Sequence, residues 1–179
     1  MFISWLKKEV KPKWLVVYVL LFIPVYWIAN GLMAYLMSVV NIQISIQPKC
    51  GLQLVTENGT SAHGVMCVPI FTVVLMTINI TLEEVFWRLP LILPLYLRWS
   101  AKNVLIVAVI LSCFFGSIHG GISHIPLQGM CGFLLSLMFL KCGGFQGKYC
   151  RAFSVVLLTH LIFDGICVAL LILIGCTSL

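Results

Sequence analysis

Long apolar stretches separated by short polar turns run along almost the whole chain. They extend from Trp14 to Val40, Val65 to about Leu97, Asn103 to about His119, Pro126 to Leu140 and Ala152 to Ile174. A helix needs roughly 20 mainly apolar residues to cross the hydrocarbon core, so the pattern predicts an all-α, polytopic bundle of about five transmembrane helices. The connections are too short for a separate soluble domain, and no internal repeat is present. Residues 1–179 therefore read as a single integral membrane domain, with a basic tail and first span over 1–40 and an outer loop over 41–63. In that loop Ile42, Ile44 and Ile46 alternate with polar residues before Pro48-Lys49-Cys50-Gly51, and Leu52, Leu54 and Val55 follow. Period-two alternation around a Pro/Gly turn predicts a small extracytoplasmic β-hairpin.

Composition strengthens this picture: 61% of residues are hydrophobic, 9% are charged, and mean hydropathy is +1.12. So little water-exposed surface argues against a nucleic-acid partner and leaves the lipid bilayer as the surroundings. The net charge of +6 is explained by position. When the helices alternate, Lys7, Lys8, Lys11, Lys13, Arg98, Lys102, Lys141, Lys148 and Arg151 share one side, whereas only Lys49 lies on the other. Basic residues collect on the cytoplasmic side of membrane proteins, which predicts a multi-pass protein of the cell membrane with a cytoplasmic N-terminus. The first apolar run follows lysines as a secretion signal does, but it is longer than a typical signal core and lacks a small-x-small cleavage site. It reads as a retained helix. The eight cysteines are scattered through apolar runs without zinc spacing and read as small buried hydrophobes. Cys142 and Cys150 bracket a cytoplasmic loop, where reducing conditions disfavour a bridge.

Against this background the few ionisable residues within apolar runs mark candidate chemistry, because a charge at membrane depth is costly. Glu83 and Glu84 stand side by side, and Glu84 lies four residues before Arg88. That spacing places Glu84 and Arg88 on one helix face as an ion pair, which lowers the cost of burying both. Glu83 projects about 100° away and lacks that partner, as a general base requires. Glu83 lies 18 residues before residue 101, at the centre of a basic turn, and His119 lies 18 residues after it. In antiparallel helices equal distance from the turn means equal depth, so the two side chains can meet. Pro90 and Pro94 weaken this expectation because either can kink or end the helix. His160 and Asp164 share a face of the last helix at i and i+4. They read either as a self-satisfied pair, Asp164 accepting from His160, or as part of a site. No glycine-rich phosphate loop or serine nucleophile elbow occurs.

Glu83-Glu84-x-x-x-Arg88, Phe115-x-x-x-His119 and His160-x-x-x-Asp164 together resemble the three motifs of the CAAX protease and bacteriocin-processing (CPBP) family of intramembrane glutamic endopeptidases. The resemblance covers about residues 65–176 and includes motif order and approximate spacing; the first 60 residues carry no motif. It implies a peptidase acting on a peptide or lipidated peptide without cofactor or metal. It further implies Glu83 as the base that activates water, His119 as its partner, Glu84 and Arg88 as a structural ion pair, and His160 with Asp164 as the oxyanion site. The sequence departs from the Ras-converting branch in having an acid, Asp164, where that branch has an amide. An acid donates a hydrogen bond only when protonated, so Asp164 serves either as a donor or as the residue that orients His160. Two other readings stay open. Glu83, His119, His160 and Asp164 are also plausible zinc ligands in type and number, although no His-Glu-x-x-His helix occurs. The bundle could also serve as a non-catalytic membrane interaction or immunity-type protein. Transport is a weaker reading, since no inverted repeat or paired broken helices appear.

Overall fold

A computed structural model describes residues 1–39, 70–121 and 124–177. Among the described residues six α-helices follow in order: α1 (Phe2–Lys7), α2 (Leu15–Val39), α3 (Ile70–Tyr96), α4 (Ala101–Gly120), α5 (Met130–Cys142) and α6 (Tyr149–Thr177). A π-helical turn, Ile125–Gly129, leads into α5, and a 3-10 turn, Gly144–Gln146, connects it to α6. The all-α architecture agrees with the apolar pattern, and no strand occurs among the described residues. The expected hairpin over 41–63 lies outside them.

The apolar helices agree with a polytopic bundle. Four helical stretches among the described residues are long and apolar enough to cross a membrane: Pro12–Met33, Ala101–His119, Ile125–Gln146 and Tyr149–Leu170. About five were expected. The difference is α3, which at 27 residues is about 40 Å long but carries Glu83, Glu84 and Arg88 within its apolar sequence.

Local sequence explains where α3 gives way to α4. Pro90 and Pro94 both lie inside α3, which continues to Tyr96, so neither proline ends it. Arg98 turns the chain with a left-handed backbone (φ 56°). Ser100 then caps α4, its side chain accepting a hydrogen bond from the Asn103 backbone N–H, which supplies a partner to an otherwise orphaned helix-terminal donor. The result is an antiparallel pair with its turn at residues 97–100. The far end of α4 stops at Gly121, whose φ of 79° suits a residue without a Cβ.

The α4–α5 contact is close because it is built on glycine. A Cβ at Gly116 would sit 2.6 Å from Ile125 Cα and 2.8 Å from Gly129 N, and one at Gly129 would sit 2.8 Å from the Ser112 carbonyl. Small residues let membrane helices approach backbone to backbone. The obstacles are main-chain atoms that cannot rotate away, so Gly116→Ala must force the π-helical turn and α4 apart. We expect it to lower stability by about 1–3 kcal/mol, read as an earlier thermal transition in detergent, and to move His119, one turn further along α4.

The buried apolar core is made of Leu91, Val104, Ala108, Leu135, Phe139, Leu140, Ala152 and Val156, with Val19 and Phe22 of α2 packed on it. These residues come from the end of α3, the start of α4, the end of α5 and the start of α6. The same end of the bundle carries α1. Leu6 is fully buried there, Lys141 Nζ donates to the carbonyls of Trp5 (2.5 Å) and Lys8 (2.8 Å), and Gln146 Nε2 donates to the Lys7 carbonyl. Glu9 receives Lys148 and Arg151, which hold its carboxyl below the usual carboxylate range. The sequence pattern predicts only a basic segment for this tail; its short helix and its docking come from tertiary contacts that no local pattern encodes.

Candidate functional site in the membrane bundle

The acidic doublet divides as the helix geometry requires. Glu84 points into the bundle and is buried, whereas Glu83 retains 27% side-chain exposure. Arg88 Nε donates to Glu84 Oε2 at 2.7 Å, and Nη2 donates to Oε1 at 3.4 Å. Arg88 Nη1 also donates to Ser136 Oγ on α5 at 2.6 Å, and Ser136 in turn donates to the Gly132 carbonyl at 2.8 Å. The expected ion pair is therefore present, and it is fastened to a neighbouring helix. Its charges are matched where water is excluded, so its partners depend on each other strongly.

Glu83 and His119 also come together. His119 Nε2 lies 3.9 Å from Glu83 Oε1, its side chain retaining 29% exposure. His119 Nδ1 is 2.7 Å from the Phe115 carbonyl. A carbonyl only accepts, so Nδ1 carries the proton and, in the neutral ring, Nε2 presents a lone pair toward Glu83. The Phe115 ring lies against the imidazole with centroids 4.2 Å apart, further limiting its rotation. The 3.9 Å gap is too long for a direct hydrogen bond and short enough for one water to touch both groups. Asn79, one turn before Glu83, donates from Nδ2 to Glu83 Oε1 at 3.1 Å and steadies the carboxylate. Equal distance from the turn does bring the two side chains together here.

The last pair differs from one of the two expectations formed from the sequence, the self-satisfied pair, and leaves the other open. His160 Nε2 and Asp164 Oδ2 are 3.7 Å apart, beyond hydrogen-bond length, so they are not a self-satisfied pair. His160 is instead held by Glu84: Nδ1 lies 2.8 Å from Glu84 Oε1, and Nδ1 must donate because an ionised carboxylate only accepts. Glu84, the centre of the ion pair, orients the imidazole, leaving Asp164 with 34% side-chain exposure on the open side of Nε2. Asn79 was missed, although its i−4 spacing to Glu83 was visible. Ser136 and the Glu84–His160 bond were also missed; they join residues 48 and 76 apart in sequence and no spacing rule reaches that far.

The result is a two-layer arrangement. Arg88, Glu84 and His160 form a buried chain, and Glu83, His119 and Asp164 border its more open side. Among the described residues no three His, Cys, Asp or Glu side chains are grouped so as to hold a metal ion.

Residues 66–166 match the family described as type II CAAX prenyl endopeptidase Rce1-like. No curated protein and no solved structure matches the chain. The matched stretch holds every site residue described above and spans more than half of the chain. Together with the apolar helices of the bundle, this match identifies the chain as a multi-pass membrane protein that belongs to the type II CAAX prenyl endopeptidase Rce1-like family.

Proposed function

We propose that the protein is an intramembrane glutamic endopeptidase in which Glu83 and His119 hold the attacking water. The observation that carries this reading is the 3.9 Å separation of Glu83 Oε1 and His119 Nε2, both acceptors facing one gap. A water there donates to both, and its remaining lone pair is directed at a carbonyl. Its oxygen bonds to the scissile carbon as Glu83 takes one proton, giving a tetrahedral oxyanion. A proton on His160 Nε2 or on Asp164 supplies the hydrogen bond to that oxyanion, where one such donor is worth on the order of a hundredfold in rate or more. Collapse breaks the carbon–nitrogen bond, and Glu83 returns its proton to the leaving amine. In this scheme Glu84 and Arg88 position rather than react: Glu84 fixes the His160 ring so that Nε2 points to the open side.

The proposed substrate is a peptide or a lipidated peptide reached within the bilayer, and the proposed setting is the cell membrane with a cytoplasmic N-terminus. Wild-type cells and cells carrying Glu83→Ala should differ by a set of uncleaved precursors that accumulate only in the variant, measured by quantitative proteomics. A Glu83→Gln protein that fully complements a deletion would favour the non-catalytic reading instead. Cleavage by purified protein in excess chelator separates the glutamic mechanism from a zinc-dependent one: undiminished activity supports the former, and loss restored by zinc supports the latter.

A further inference from the structure

Helix α5 carries none of the three motifs, yet both halves of the site are built against it. The contacts converge on two of its residues one turn apart, Gly132 and Ser136.

The Ser136 hydroxyl is used in both directions. It accepts from Arg88 Nη1 at 2.6 Å and donates to the Gly132 carbonyl at 2.8 Å. Arg88 Nε in turn donates to Glu84 Oε2 at 2.7 Å, and Glu84 Oε1 accepts from His160 Nδ1 at 2.8 Å. Ser136, Arg88, Glu84 and His160 are each at most 5% exposed, so water does not replace a lost partner. Without the Ser136 hydroxyl, one guanidinium N–H is left unpaired in a dry interior, which is costly. The guanidinium is a rigid planar fork. When it turns toward a new acceptor, it takes Glu84 and the His160 ring with it.

Gly132 serves the other half. A Cβ there would lie 3.0 Å from Phe115 Cδ1 and 3.2 Å from Cγ, inside the roughly 3.5–4.0 Å at which carbon atoms pack. The obstacle is an aromatic ring, and a cavity of about 10 Å³ bordered by Arg88, Phe115, Gly132 and Ser136 lies beside it. The ring can therefore yield while the helices stay in place. Phe115 is what fixes His119: its carbonyl accepts from Nδ1 at 2.7 Å, and its ring centroid is 4.2 Å from that of the imidazole. A displaced ring no longer holds the imidazole that faces Glu83.

We propose that Ser136 and Gly132 are positioning residues for the two halves of the site. Ser136 sets the His160 ring through Arg88 and Glu84, and the bare α-carbon of Gly132 sets His119 through the Phe115 ring. Their effect on cleavage rests on the peptidase reading above; their separate control of two imidazoles does not.

The test uses the purified full chain in detergent with nitrogen-15-labelled histidine, the ring signals of His119 and His160 being assigned by removing each histidine in turn. Ser136→Ala should shift the His160 ring nitrogens and leave those of His119 in place. Gly132→Ala, which keeps the carbonyl that Ser136 uses, should do the reverse. Shifts of both imidazoles by either substitution would mean that α5 only holds the bundle together, and unmoved signals would mean that it holds neither ring; each result overturns the proposal. If Ser136→Ala fails to accumulate, Ser136→Cys, whose sulfur is a weak acceptor, is read in its place. On a precursor that accumulates in Glu83→Ala cells, each variant should lose about ten- to a hundredfold in kcat with KM little changed. Ser136→Thr, which keeps the hydroxyl, should restore most of the loss. Parental turnover despite the crossed shifts overturns the positioning role. If no cleavage depends on Glu83 while the crossed shifts persist, the peptidase reading fails and the separate control of the two rings stands.

Discussion

Purified Glu83→Gln protein should cleave its substrate about a hundredfold to ten-thousandfold more slowly than wild type, the usual contribution of a positioned general base. It should nevertheless insert, accumulate and unfold at the same temperature. The separation follows from the division of labour within the doublet. Glu83 lies outside the buried ion pair, and its polar contacts are Asn79 and the His119 ring at 3.9 Å. An amide of the same shape keeps the Asn79 bond through its carbonyl and loses only the ability to take a proton. Rates are read on a precursor that accumulates in Glu83→Ala cells, and stability by thermal unfolding in detergent. Parental activity in the variant would remove Glu83 from the chemistry.

Arg88→Met should have the opposite signature, a loss of about 3–5 kcal/mol of stability, because it strands the Glu84 carboxylate where water does not reach. Its guanidinium donates twice to Glu84 and once to Ser136, so one substitution unties α3 from α5 as well. Replacing both charges, as Glu84→Leu with Arg88→Met, should recover much of that stability, since an apolar pair can substitute for a buried ion pair. It should not recover activity, because His160 Nδ1 then lacks its acceptor at 2.8 Å and the ring is free to turn. A double variant both stable and fully active would show that Glu84 does not position His160.

What could be read from the sequence was whatever depends on short, regular spacings. The i, i+4 relation of Glu84 and Arg88, the apolar lengths of the helices, and the equal distances of Glu83 and His119 from one turn are properties of a single helix or of one helical hairpin. They emerged because a membrane suppresses polar residues that lack a use. Pro90 and Pro94 were ambiguous because a helix in a bundle can continue through a proline when neighbouring groups satisfy the freed carbonyls. The partner of His160 was not legible for a different reason. Asp164 was near in sequence, but the crossing of α3 and α6 puts Glu84 closer to Nδ1 than the i+4 neighbour is to Nε2. Ser136 was invisible because a serine in an apolar helix is common, and only packing reveals whose bond it completes. The docking of α1, through Lys141 and Gln146 to backbone carbonyls, involves no pairing of side-chain types that a sequence could advertise.

The most direct measurement is a double-mutant cycle on cleavage rate with Glu83→Gln, His119→Ala and the two combined, using one identified precursor and purified protein. Groups that act on a single water behave as one unit, so the combined variant should be no slower than the slower single variant. Losses that multiply would mean that Glu83 and His119 act independently, and would contradict the shared water.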